Sequence, residues 1–153
     1  MTTKLKLYEF YQLESELNGV VNQQTGEVIA KGLLGENLKL VVKYHLSALA
    51  KEVTAEKTAL ETLKEGLIKK HGVASEDGNV SIPMYIFEKD EDGKDTDKPK
   101  EFNPDYVKFS KDWNELLQEE KDLTHFEFTL DHFSKVETDG VYQAFFKLLK
   151  VPE

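Results

Sequence analysis

The stretch 37–71 contains no proline, and its apolar side chains recur with a seven-residue period. Leu46, Leu49, Val53, Leu60, Leu63 and Leu67 take the a and d positions of a heptad, and Glu56 is the one polar residue on that seam. Lys69-Lys70-His71 places cations where a last turn would be, and Gly72 follows as a stop. The pattern predicts one helix about 50 Å long at 1.5 Å per residue. Short neighbours leave much of such a helix uncovered, so the chain needs a second helix beside it.

That second helix is expected at 103–122. Asn103-Pro104 supplies an N-cap and a proline at the first helical position, and Tyr106, Phe109, Trp113, Leu116 and Leu117 fall on one face. Residues 37–71 carry seven lysines against four glutamates, whereas 103–122 carry three lysines against six acidic residues. Opposite charge favours an antiparallel pair, although each exposed contact is worth only about 0.2–1 kcal/mol. The apolar seam supplies the energy.

Shorter elements complete the expected fold. Residues 5–18 read as a first helix closed by Asn18-Gly19. Residues 20–36 fit a hairpin around Gln23-Gln24-Thr25-Gly26 or helical turns broken at Gly32, and the helical turns are favoured. Residues 80–87 read as a strand, with Pro83 confining it to an edge or a bulge, and 124–130 alternate as a half-buried strand. Residues 88–99 form an exposed acidic loop, and Thr138-Asp139-Gly140 caps a last helix. The expected class is α+β, mainly α. It is a long antiparallel helical pair with short flanking helices and a small two-stranded β element, in one domain over 1–153.

Composition narrows function. The net charge is −9, and every basic residue is a lysine. Nucleic-acid affinity rests on cations that release counterions, and base readout favours the arginine fork, so direct sequence-specific nucleic-acid binding is not expected. Without cysteine there is neither a disulfide nor a Cys-based zinc site. No apolar run reaches the roughly 18 residues of a membrane span, and the first residues do not read as a signal peptide. Nine Phe, six Tyr and a Trp supply core material that a disordered chain lacks.

Chemistry-bearing patterns are sparse. Asp90, Asp92, Gly93, Asp95 and Asp97 resemble a calcium loop, but aligning Gly93 to the loop's glycine puts Pro99 where a bidentate Glu belongs. A solvated acidic loop is therefore favoured over a weak divalent site. His45, His71, His125 and His132 are scattered, and the adjacency of Asp131 and His132 does not by itself orient a general base. There is no Gly-x-Ser-x-Gly elbow and no phosphate-binding glycine loop. The chain is expected not to be an enzyme and to need no cofactor or metal. Tyr142, Phe145, Phe146, Leu148 and Leu149 make the tail apolar on more than one face, which asks for burial by its own domain or by a partner. The candidate partner-binding residues are Tyr142, Phe145, Phe146 and Leu149, with Asp90, Asp92 and Asp95 of the acidic loop.

Lys31-Gly32-Leu33-Leu34, Lys43-Tyr44-His45-Leu46, Leu67-Ile68-Lys69-Lys70-His71-Gly72 and Phe145-Phe146-Lys147-Leu148 resemble segments of small proteins of tailed bacteriophages, including Bacteroidetes phages and the crAss-like group. The acidic stretch 88–99 departs from their outline. The resemblance implies no catalytic residues. It implies a phage-encoded structural or assembly protein, virion-associated, acting through contacts with other phage structural proteins or as a homo-oligomer. The alternative is an acidic inhibitor of a host defence or nucleic-acid-binding protein. Either would reside in the host cytoplasm, and a structural protein also in the virion.

Overall fold

The computed structural model describes residues 1–137 and 141–151. Along the chain run β1 (Thr2–Lys6), α1 (Leu7–Asn18), β2 (Val20–Val21), β3 (Val28–Ala30), a 3₁₀ turn (Leu33–Gly35), α2 (Leu40–His71), β4 (Val73–Ala74), β5 (Val80–Ser81), β6 (Tyr85–Lys89), β7 (Asp95–Phe102), α3 (Pro104–Leu117), β8 (Glu120–Thr124), a second 3₁₀ turn (Leu130–Phe133) and α4 (Gln143–Phe146). Of the described residues, about 47% are helix and 23% strand, so the class is mixed α and β. Among the described residues the strands form four separate antiparallel pairs: β1 with β8, β2 with β3, β4 with β5 and β6 with β7. Among the described residues, no helix is long and apolar enough to cross a membrane.

The chain forms two compact units, one from Met1–Thr58 with Gln118–Glu153 and one from Ala59–Leu117. The first holds most of the core. Helix α1 buries Leu7, Phe10, Leu13 and Leu17, an apolar stripe at three- and four-residue steps. Beneath it lie Leu5 of β1, Leu123 of β8, Phe128, Phe145 and Leu148, all nearly inaccessible. Each buried side chain of this size stabilises the unit by about 1.5–3 kcal/mol. β1 and β8 pair from Thr2↔Thr124 to Lys6↔Glu120, joining the two sequence segments of the unit.

The long helix spans 32 residues, about 48 Å. Its seam is buried at Leu46, Leu49, Val53 and Leu60, half-buried at Leu67 and open at Leu63, which is 55% exposed. In the first unit α1 and β8 attend to α2. Lys57 Nζ meets the Glu14 carboxylate at 3.0 Å and lies 5.8 Å from the Tyr11 ring centre. Asn18 Nδ2 donates to Thr54 at 3.3 Å. Glu56, the polar interruption of the heptad, forms an ion pair with Lys121 of β8.

Several expectations are corrected. Residues 2–6 are strand, so the first helix starts at Leu7 rather than at residue 5, where its leading residues pair with β8. Residues 20–30 form the hairpin β2–β3 instead of helical turns. Gly19 and Gly32 close that hairpin at φ +82° and +77°, and a Cβ on Gly32 would lie 2.4 Å from the Gly19 nitrogen. Only glycine adopts that backbone at that distance without strain.

The strands near 80–87 and 124–130 do not pair with each other. Val80–Ser81 pairs with Val73–Ala74, and Tyr85–Lys89 pairs with Asp95–Phe102. The strand near 124 is Glu120–Thr124, on β1. The acidic stretch 88–99 is a hairpin turn and strand rather than a loop, with Pro99 accommodated where the β6–β7 register shifts. The second long helix ends at Leu117 rather than Asp122, because the backbone turns into β8. The last helix is a single turn, Gln143–Phe146. Its expected cap, Thr138-Asp139-Gly140, lies outside the described residues.

Candidate interaction surfaces

The C-terminal segment is held by three glutamates from the N-terminal part of the sequence. A four-residue helix has no stability of its own, and Glu16 supplies what its first turn lacks. The Glu16 carboxylate accepts hydrogen bonds from the Ala144 N–H at 3.0 and 3.1 Å and from the Phe145 N–H at 3.4 Å. Burial raises the Glu16 pKa above the ordinary value, against the lowering effect of those amides. Glu9 accepts the Lys6 N–H at 2.8 Å, closing the start of α1, and forms an ion pair with Lys147. That hydrogen bond to Glu9 raises the Lys147 pKa. Glu36 is buried and accepts the Tyr142 hydroxyl at 3.1 Å, with Lys31 Nζ at 3.7 Å.

This arrangement divides the sequence candidates. Tyr142, Phe145 and Leu149 are buried in the first unit, and Phe146 is 57% exposed. The tail is apolar all round because one side is core and the other is surface. Phe145 meets Phe128 and Phe133 with ring centres 5.4 and 5.2 Å apart. Beside them opens an apolar groove of about 250 Å³, walled by Leu33, Leu130, Phe133, Phe145, Phe146 and Leu149. Leu130 and Phe146 are exposed at this groove.

Asp90, Asp92 and Asp95 belong to the hairpin of the second unit. Asp90 Oδ1 accepts the Asp92 and Lys94 N–H groups at 3.0 and 2.9 Å, and the Gly93 N–H donates to the Asp90 carbonyl at 3.0 Å. The spacing that resembles a calcium loop builds a turn in which Asp90 binds its own backbone. Asp95 faces Lys89 across the ladder at 3.8 Å, both well exposed. Among the described residues, no group of three or more His, Cys, Asp or Glu is placed to hold a metal ion.

The second unit carries a surface that the sequence candidates omit. Leu60 is its one buried hydrophobic among the described residues, and α3 buries none of its side chains fully. Tyr106, Phe109, Trp113, Leu116 and Leu117, the face expected from the sequence, are all half-buried. Lys64 Nζ lies 5.7 Å from the Trp113 ring centre, a cation–π distance. On the hairpin, Tyr85 meets Phe102 across the strands at 5.0 Å, and Phe102 is 60% exposed. Asn103 ties hairpin to helix. Its N–H donates to the Met84 carbonyl and its Nδ2 to the Pro83 carbonyl, each at 2.9 Å, while its Oδ1 accepts the Asp105 N–H at 3.1 Å. Met84, Ile86 and Val107 are also exposed. The amphipathic pattern of α3 is the available signal, but at this spacing it reads as core more often than as interface.

Three histidines gather in the first unit. His45 stacks on Phe126 with ring centres 3.9 Å apart, and Phe126 is 5.6 Å from His132. His125 is buried between Thr3 Oγ1 at 2.8 Å and the Phe126 carbonyl at 2.7 Å. A carbonyl only accepts, so Nδ1 carries a proton, and in the neutral ring Nε2 then accepts from the Thr3 hydroxyl. In His132, Nδ1 accepts the Thr129 N–H at 3.0 Å. Asp131 therefore does not orient that nitrogen.

Compared with known protein families, curated proteins and solved structures, the chain matches none.

Proposed function

We propose that this is a phage-encoded structural or assembly protein that acts through protein–protein contacts and is associated with the virion. The observation that carries the reading is the thin core of the second unit. Small units are marginal because they bury too little of their surface. Here the amphipathic α3 leaves five apolar side chains half-buried, and Leu63, Phe102 and Val107 of the same unit are exposed. Contact with a neighbouring subunit would complete that core, in the way obligate interfaces resemble a domain interior cut in two. Pairing of α3 with the far half of α2, within one chain or between copies, belongs to the same proposal, and the Lys64–Trp113 contact is consistent with it. The phage setting comes from the resemblance of the four short segments.

Quantitative mass spectrometry of purified particles tests the proposal. A fixed copy number per particle, in a multiple that matches a ring, is expected. Absence from particles despite strong expression in infected cells would overturn it. A second reading, an acidic inhibitor of a host protein, is favoured by the exposed Asp90, Asp92 and Asp95 of the hairpin turn. In that case the triple change to asparagine abolishes retention of one host protein.

A further inference from the structure

We propose that His132 is a pH-sensitive cap on the 3₁₀ turn that walls the apolar groove of the first unit. The turn begins with Thr129 in extended backbone, followed by Leu130–Phe133. In a capping box the third residue of the turn reaches back to the amide of the capping residue, and Glu or Gln ordinarily does this with an oxygen that always accepts. Here the third residue is His132, and its Nδ1 accepts the Thr129 N–H at 3.0 Å. An amide only donates, so Nδ1 must hold a lone pair and the neutral ring carries its proton on Nε2.

A proton taken from solvent onto Nδ1 removes that lone pair. The amide–imidazole hydrogen bond breaks, and two N–H groups then face each other. The new ring N–H has the Thr129 hydroxyl within reach at 3.3 Å, but the Thr129 amide loses its acceptor. Histidine is the side chain whose charge ordinarily changes between about pH 5 and 8. The turn it closes supplies Leu130 and Phe133 to the groove, so loosening it alters the groove wall.

Other charges bear on the ring. His132 borders a hollow it shares with Lys39, which precedes α2, and with Asp131 and Lys135 of its own segment. His45 of α2 reaches it through Phe126, stacked at 3.9 Å on one imidazole and 5.6 Å from the other. The charged and titratable groups that face the ring are thus Lys39, Asp131 and Lys135, with His45 on the far side of Phe126. Two substitutions separate the cap from these neighbours. His132→Gln keeps an acceptor at every pH, and His132→Ala removes it at every pH.

The test is ¹⁵N NMR of the full chain between about pH 5 and 8, reading the His132 ring nitrogens and exchange at the Thr129 amide. A fluorescent apolar probe, anilinonaphthalene sulfonate, reads the groove in parallel. At the alkaline end the wild type is expected to match His132→Gln. At the acid end its Thr129 amide exchanges roughly fivefold faster than that of His132→Gln at the same pH, the factor of a lost cap, and matches His132→Ala. Probe fluorescence shifts over the same pH range in the wild type and not in His132→Gln. An imidazole that titrates with no change at Thr129, one that does not titrate in the window, or a His132→Gln chain with the wild-type pH response overturns the proposal. The amide reports on the cap whether or not the protein belongs to a virion.

Discussion

At the scale of single residues, the C-terminal segment depends on carboxylates that reach it from far away in sequence. Glu16 gives the clearest prediction. Its folded pKa lies above the ordinary carboxylate value because burial outweighs the amides of Ala144 and Phe145. The native state therefore holds that proton more tightly than the unfolded chain does, and stability falls as pH rises from the unfolded value through the folded one. Urea unfolding at a series of pH values above 4.5 is expected to show this decline in the wild type and its loss in Glu16→Gln. Tyr142→Phe makes a separate test. It removes the hydroxyl that donates to the buried Glu36 carboxylate, which Lys31 approaches at 3.7 Å, and is expected to cost about 1–3 kcal/mol in the same measurement.

At the scale of elements, local pattern and tertiary demand agree in some places and diverge in others. The cap at Asn103, the stop after His71 and the apolar stripe of α1 were legible because each is decided within a turn or two of chain. β1 and β8 were not, since the two strands belong to different sequence segments of the first unit. The hairpin β2–β3 was misread because Gly32 looks like a helix breaker until its contact with Gly19 is known. Gly32→Ala is expected to destabilise the protein by at least about 1–2 kcal/mol in thermal or urea unfolding, from positive φ alone. The heptad makes a paired prediction on α2. Leu46→Ala, at a fully buried seam position, should cost roughly 2–5 kcal/mol, whereas Leu63→Ala in the isolated chain should stay within about 0.5 kcal/mol of wild type. Equal costs would mean that Leu63 is covered in solution.

At the scale of the whole molecule, the two units differ in how completely they bury their apolar surface, and association is the expected consequence. Phe102→Glu combined with Val107→Glu alters exposed positions, so the helical far-ultraviolet signal is expected to persist while co-sedimentation with particle components is lost. Retained co-sedimentation would remove the second unit from the interface. The tail candidates show why a surface is harder to read than an element. Tyr142, Phe145 and Leu149 went inside and Phe146 stayed out, a division that hydrophobicity does not encode and that the positions of Glu9, Glu16 and Glu36 impose. The acidic cluster resolved similarly, into a turn held by Asp90. By itself, the sequence determined the long helix, the amphipathic face of α3, the cap at Asn103 and the absence of cysteine and arginine chemistry. Those features follow from side-chain period and composition, which are local properties. Only the tertiary structure decided the strand partners, the ion pair of Glu56 with Lys121 and the carboxylate hold on the last segment, because each requires residues far apart in the chain to meet.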